Sequence, residues 1–218
     1  VYKPIAGERP LWDFPHGTLA EREYASWLVS ETLDWNVVPR TVLRDGPMGP
    51  GMVQQWQESD PGQRAVDVVP VGATPPGHLT VLLAEDGDGN DVELTHEDSP
   101  PLLRMAVFDV LTNNTDRKGG HVLAMRDGHR YGVDHGVCFH EDDKLRTVLW
   151  GFAGRELDAE LTDAVRHVLD DARLRDALED LLALSEIEAF VRRGERLLNH
   201  GALPAMAPGW PAIPWPPF

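Results

Sequence analysis

Cysteine is nearly missing from this chain: Cys138 stands alone among 218 residues. A single thiol excludes an intrachain disulfide framework and suits a reducing compartment, so a cytoplasmic location is expected. Long apolar runs are missing too. No stretch approaches the roughly 20 apolar residues that cross a bilayer, and no secretory signal opens the sequence, so no transmembrane segment is expected. Positive charge is scarce, with a formal net charge of −16 and no Lys/Arg cluster. Nucleic acid and anionic membrane surfaces are therefore poor partners, and no amphipathic basic helix or lipidation motif offsets that. There is no internal repeat. The chain begins at Val1 rather than Met, inside a stretch that reads as a strand, and an upstream segment is expected.

What is present falls into two unlike halves. "VYKPIAG" reads as the end of a strand, stopped by Pro4 and Gly7. "TLAEREYASWLVSETLDW" reads as a helix, with Thr18 and Glu21 in capping-box spacing and a stripe blurred by Trp27 and Trp35. "VVPRTVLRDGPMGPGMVQQWQE" suggests two strands around a Gly/Pro turn. Residues 59–78, rich in Pro and Gly, are the most linker-like, and "HLTVLLAEDGDGNDVELTHED" follows as a hairpin. "DGDGN" lacks the closing glutamate of a calcium loop and reads as the hairpin turn. From Pro101 onward helices dominate: "PLLRMAVFDVLTNN", then "LDAELTDAVRHVLDDARLRDALEDLLAL", then "SEIEAFVRRGERLLNHG". Ser185 with Glu188 has capping-box spacing, and Gly201 sits where a C-cap belongs. The tail "PGWPAIPWPPF" reads as an extended strap. The expected class is α+β with two lobes.

Polar and flexible chemistry concentrates between Asn113 and Gly136, in "NNTDRKGGHVLAMRDGHRYGVDHG". Asp127-Gly128 signals a two-residue hairpin turn of type I′. That turn would set Leu123 opposite Gly132 and His121 opposite Asp134, with cross-strand partners about 4.5–5.5 Å apart at Cβ. Asp116 lies five residues before His121. Three groups able to handle a proton or a hard cation would thus gather at the open end of the hairpin. Magnesium and manganese favour carboxylate oxygens, and phosphoryl transfer needs such an ion together with an acid near the nucleophile. Asp and His at loop–strand junctions also serve as turn formers and caps, so spacing alone leaves both readings open. A zinc site from His135, Cys138 and His140 fits no common module, and Cys138 is expected to pack as a small apolar side chain.

"NTDRKGGHVL" followed by "GVDHG" resembles the catalytic loop and metal-binding motif of the phosphatidylinositol 3-/4-kinase-like superfamily. "EREYASWLVSETLDWNVVPRTVL" resembles a segment of the type II phosphatidylinositol 4-kinases, ungapped from the glutamate to Val-Pro. The motifs occur in the family's order across both halves, and the chain looks like a small bacterial member. The resemblance implies a two-lobed atypical protein-kinase-like fold. Residues 1–58 would form a small N-lobe and hinge, truncated upstream; 59–100 a linker with a hairpin insertion; 101–218 a mainly helical C-lobe. It implies ATP and a divalent metal, Mn2+ or Mg2+, as cofactors. Asp116 would be the catalytic aspartate and Arg117 its basic neighbour. Lys3 would hold the ATP phosphates and Glu23 would pair with it. Gln54, Gln55 and Trp56 would fall at the hinge beside adenine, and Leu123 beneath it. Asp134 would hold the metal. By residue type alone, Lys3 reads first as a solvated surface lysine, and Glu23 reads as one of several charges on a helix face.

The chain departs from the family at His121, where Asn usually supplies the second metal ligand. Imidazole is a softer donor, so ligation there would favour manganese over magnesium; direct phosphate contact, or lost catalysis, are the alternatives. The family's Gly-rich strands, expected before Lys3, do not occur in this sequence. The expected activity is ATP-dependent phosphotransfer to an unidentified acceptor, preferably a protein or soluble small molecule, or to the chain itself. The rival classes are a non-catalytic nucleotide-binding pseudokinase or scaffold, and a phosphoinositide lipid kinase.

Overall fold

The computed structural model describes residues 1–9, 11–207 and 211–218. The fold is mixed α+β. Helix α1 (Leu19–Thr32) starts as its sequence predicts: the Thr18 hydroxyl accepts from the Glu21 N–H, and the Glu21 carboxylate accepts from the Thr18 N–H. Its blurred apolar stripe has a tertiary cause. The helix packs on β2 (Thr41–Gly46), β3 (Gly49–Gln54), α3 (Ala159–Asp170) and α4 (Ala172–Glu179), so it is covered on several sides. Arg22, Glu23 and Ser30 are all buried. Polar groups survive such burial only with partners. Arg22 donates to the Cys138 carbonyl at 2.9 Å and to the Glu186 carboxylate at 2.6 Å, while the Ser30 hydroxyl accepts from the Val38 N–H at 3.0 Å.

Strand β1 (Tyr2–Pro4) joins β2 and β3 in an antiparallel sheet of order β1-β3-β2. Lys3 sits opposite Met52, so both side chains leave the same face of the sheet. That approach requires glycine at position 51. A Cβ there would stand 2.4 Å from the Lys3 carbonyl oxygen and 2.7 Å from Pro4 Cα.

The segment 59–100 holds more structure than a linker with a hairpin. Strand β4 (Val66–Pro70) lies within the Pro/Gly-rich stretch and pairs with β6 (Asp91–Glu97), giving a second sheet of order β4-β6-β5 with β5 (His78–Glu85). The alternation in "AVDVVP" is short, and its prolines mask it; β4 pairs because Val66 finds the core beside Leu94. Glu97, at the end of β6, receives both Nε and Nη2 of Arg130 at 2.9 Å, tying this sheet to the loop region.

Helix α2 (Pro100–Thr112) is apolar on nearly every side and stops at Asn113, whose φ of 52° is left-handed. The long helical stretch after Leu157 is two helices. Asp171 takes an extended conformation and its carboxylate accepts from the Leu174 N–H at 2.9 Å, so it ends α3 and caps α4. Helix α5 (Leu184–His200) starts earlier than Ser185 predicts. Glu186 rather than Glu188 reaches back, accepting from the Ala183 N–H at 3.0 Å, and Ser185 lies inside the first turn. Gly201 closes α5 with φ of 65°.

The tail from Pro211 to Phe218 is a strap. The Ala212 carbonyl accepts from the Thr147 N–H and Trp150 Nε1, and the Pro217 carbonyl accepts from the Gly119 N–H at 2.7 Å. Pro208, Gly209 and Trp210, also part of the predicted strap, lie outside the described residues. Among the described residues no helix is long and apolar enough to cross a membrane.

Gly51→Ala forces a methyl group into the Lys3 carbonyl and should cost about 1–3 kcal/mol of stability. Urea unfolding reads this as a lower midpoint; an unchanged midpoint would show that β1 moves aside freely.

Candidate active site

The loop from Asn113 to Gly136 is built around a buried ion pair. Arg117 and Asp109 are both fully buried, with Arg117 Nη2 2.8 Å and Nε 3.0 Å from the Asp109 carboxylate. Asn114 Nδ2 and the Thr147 hydroxyl also donate to Asp109, at 3.0 and 3.3 Å. Arg117 donates onward to the carbonyls of His121 and Val133, each at 3.4 Å, and to His135 Nε2 at 2.7 Å. The guanidinium lies flat on Gly132, where a Cβ would meet it at 2.9 Å. Predicted as a catalytic neighbour of Asp116, Arg117 instead points into the interior and organises the loop from beneath.

The hairpin of β7 (Val122–Ala124) and β8 (Arg130–Gly132) corrects the predicted turn. Gly128 has φ of +91°, but Asp127 is not left-handed, so type I′ is ruled out. The Gly128 N–H donates to the Met125 carbonyl and the Met125 N–H to the His129 carbonyl, which closes a three-residue loop, Arg126 to Gly128. Leu123 therefore pairs with Tyr131 and Val122 with Gly132, one residue out of the predicted register. His121 and Asp134 still meet, because both lie beyond the ladder. His121 ends a single 3-10 turn (Gly119–His121), the Val133 N–H donates to its carbonyl at 3.0 Å, and Asp134 adopts φ of 64°. Their Nε2 and Oδ2 atoms stand 3.6 Å apart.

Lys3 completes the group from the other side of the molecule. Its Nζ lies 2.8 Å from Glu23 Oε1 and 2.7 Å from Asp134 Oδ1. Burial works against its charge, but Glu23 and Asp134 outweigh that and raise its pKa above the ordinary lysine range. For Glu23 the balance tips the other way: it is almost wholly buried, and loss of hydration raises its pKa despite the lysine. Asp134 is partly desolvated too, yet Lys3 holds its pKa below the usual carboxylate range.

Lys3, Glu23, Asp116 and Asp134 line one cleft of about 490 Å³, with Tyr2 and Met52 on its strand wall. Asp116 is partly exposed there, 3.5 Å from Lys118 Nζ, with its backbone N–H held by Asn114 Oδ1. The predicted adenine-side residues are not among the cleft's lining residues. Gln54 spends its side-chain amide on the Thr41 hydroxyl, Gln55 binds through its backbone to Arg40, and Trp56 is 73% exposed. Leu123 is half-buried across from Tyr131. A larger cavity of about 620 Å³ beside α5, lined by Val110, Trp150, Leu197 and Leu203, contains none of the predicted site residues.

Asp134 and His121 could share a divalent cation, the carboxylate as a hard donor and the imidazole as a softer one. His121 Nδ1 lies 2.9 Å from the Asp116 carbonyl, so the ring proton sits on Nδ1 and the Nε2 lone pair faces the Asp134 carboxylate. Two acceptors aimed at each other are satisfied by a shared cation. Among the described residues no cluster of three His, Cys, Asp or Glu side chains forms a ready cage. A cation held by two protein groups would take its remaining ligands from outside these side chains. The zinc alternative fails on geometry: His135 is committed to Arg117, His140 to the Asp142 N–H and Lys144, and burial pushes the Cys138 thiol up to about 12.

Comparison with known proteins finds a close relative. Protein Rv2133c of Mycobacterium tuberculosis (strain ATCC 25618 / H37Rv) is 51% identical over 229 aligned residues, spanning all of this chain and 82% of its own length. The chain belongs to the family of that protein. No model of a known protein family matches it.

Three residues of the site escaped sequence reasoning. Asp109 is a lone acid in the apolar run "PLLRMAVFDVL", which is the signal that could have found it: an unpaired charge inside a buried helix needs a partner. Met52 follows from pairing β1 with β3, and His135 enters the sequence reading only as a zinc ligand.

Arg117→Met removes the main partner of a fully buried carboxylate and should cost about 3–5 kcal/mol, measured by urea unfolding. A loss below 1 kcal/mol would mean that Asn114 and Thr147 suffice for Asp109. A second expectation concerns pH. A lysine whose pKa is raised by folding adds stability below its unfolded value and loses it as pH climbs through the folded one. The margin by which wild type melts above Lys3→Met should hold from pH 7 to about pH 10. It should close only above the ordinary lysine value of 10.5. A margin that already shrinks near neutrality would contradict the assignment.

Proposed function

We propose that this protein is a metal-dependent ATP phosphotransferase with a two-lobed, atypical kinase-like arrangement, similar to the phosphatidylinositol 3-/4-kinase-like superfamily. The observation that carries the reading is Lys3, a strand lysine bonded at once to the helix glutamate Glu23 and to Asp134 of "DHG", above a cleft that also holds Asp116. In that reading Lys3 braces the phosphates of ATP and Glu23 fixes its direction. Asp134 and His121 hold the divalent ion, which neutralises phosphate charge when bound. Asp116 accepts the proton of an acceptor hydroxyl while its oxygen attacks the γ-phosphorus; the bond to the bridging oxygen breaks and ADP leaves. The acidity of the chain favours a protein or soluble acceptor over a lipid at an anionic surface.

Two observations favour a second reading, a nucleotide-binding scaffold without turnover. His121 stands where the family has Asn, and Asp134 is engaged by Lys3 rather than directed wholly to a metal site. Radiolabelled ATP with manganese or magnesium, offered a protein extract and phosphoinositides side by side, separates the readings. Label transfer is expected, preferentially with manganese, and His121→Asn should move the preference towards magnesium. Asp116→Ala should cut turnover roughly 10²–10⁴-fold, and Asp134→Ala should abolish it. ATP binding without label transfer would favour the scaffold.

A further inference from the structure

His135 has no part in the chemistry just described, yet it lies between the two ion pairs that organise the site. Its ring is fully buried and packs edge-on to Phe108, with centroids 5.5 Å apart. Nε2 lies 2.7 Å from Arg117 Nη2. A guanidinium carries only donors, so Nε2 accepts and the ring proton sits on Nδ1. Nδ1 faces Glu23 Oε2 at 3.9 Å. Both atoms are buried and neither makes a hydrogen bond of normal geometry among the described residues; only the His135 backbone N–H, a weaker donor that lowers the Glu23 pKa, also faces that carboxylate.

Two complementary orphans facing each other are an unusual arrangement, since buried polar atoms nearly always find partners. The gap is wider than a hydrogen bond by about 0.7–1 Å. An inward shift of α1 by that amount would satisfy both atoms together. It would also join Asp109, Arg117, His135, Glu23 and Lys3 into one continuous chain across the cleft. Glu23 Oε1 already holds Lys3, which also reaches Asp134. A Glu23 carboxylate fixed through both oxygens would hold Lys3 in one direction and release Asp134 for a cation.

We propose that His135 is a positioning residue: with nucleotide in the cleft, its Nδ1–H donates to Glu23 Oε2, seats α1 against the loop and turns Lys3 from Asp134 towards phosphate. The proposal rests on the phosphotransferase reading, and the test separates the two. His135→Phe keeps the ring and its contact with Phe108 but has no donor. His135→Asn places an amide N–H near the position of Nδ1 and so retains a donor towards Glu23. The readouts are kcat and KM for ATP in each variant. For wild type, ring ¹⁵N spectra are recorded with and without a non-hydrolysable ATP analogue and magnesium.

The Phe variant should lose roughly 10–100-fold in kcat with KM for ATP little changed, as for partners that orient a catalytic group. The Asn variant should recover most of that loss. The wild-type ring should carry its proton on Nδ1, and that resonance should move downfield when the analogue binds. Wild-type kcat in His135→Phe, an Asn variant no better than Phe, or a proton on Nε2 would each overturn the proposal. If wild type transfers no phosphate, the phosphotransferase reading fails by itself. The Nδ1 resonance then decides alone: a shift with the analogue upholds the positioning role, and an unmoved resonance overturns it.

Discussion

A guanidinium taken wholly out of water must have its charge met and its donors directed, and Arg117 sets the loop around it on those terms. Asp109 supplies the charge from the middle of an apolar helix, and the carbonyls of His121 and Val133 together with His135 Nε2 receive the remaining donors. Each acceptor is a point at which the backbone is fixed. Because His121 and Val133 flank the hairpin's open end, the same guanidinium sets the spacing that brings His121 and Asp134 together. Gly132 permits this by leaving room for the guanidinium against the β8 backbone. The strap contributes from the opposite side, with the Pro217 carbonyl on the Gly119 N–H and the Phe218 ring over Gly119.

Against that fixed base stands a softer junction. Lys3 arrives on a three-residue edge strand, and Glu23 on a helix that touches several neighbours. Their ion pair crosses the cleft, with the lysine half-exposed and the glutamate buried. Loss of hydration at Glu23 is only partly offset by one lysine, which is why its pKa rises while that of Lys3 rises as well. His135 Nδ1 stands 3.9 Å from the second Glu23 oxygen, and the His135 backbone N–H also acts to lower the Glu23 pKa.

The sequence was legible where interactions are local. The Thr18–Glu21 box, the strands around Met48, the turn at "DGDGN", the stop of α2 at Asn113 and the Gly201 cap all follow from neighbours within a few residues. Legibility failed where two local solutions competed, as at the α5 cap and the hairpin turn, or where a distant partner decided the outcome, as at β4. Ser185 lost the cap of α5 because the helix starts two residues earlier, with Ala183 at the cap and Glu186 reaching back to it. Asp127-Gly128 closed a three-residue loop, because Asp127 accepts from the His129 N–H without turning left-handed itself. Strand β4 formed in a stretch of linker composition because β6 offered it a free edge and a place in the core. The convergence of His121 and Asp134 was anticipated, but through a register that the hairpin does not adopt.

From residue types and spacing alone came the α+β class, the loop in which polar chemistry gathers, and Asp116, Asp134 and His121 as its candidate members. These are consequences of composition and of contacts a few residues apart, which the order of residues encodes directly. Tertiary structure alone decided that Arg117 is an interior strut, that Gln54 donates to the Thr41 hydroxyl while Trp56 stays exposed, and that Lys3, whose pairing with Glu23 the resemblance implies, also reaches Asp134. Those outcomes depend on burial and on partners up to 131 residues distant. The cost of hiding a charge from water is set by what surrounds it in space, and no local pattern along the chain records that.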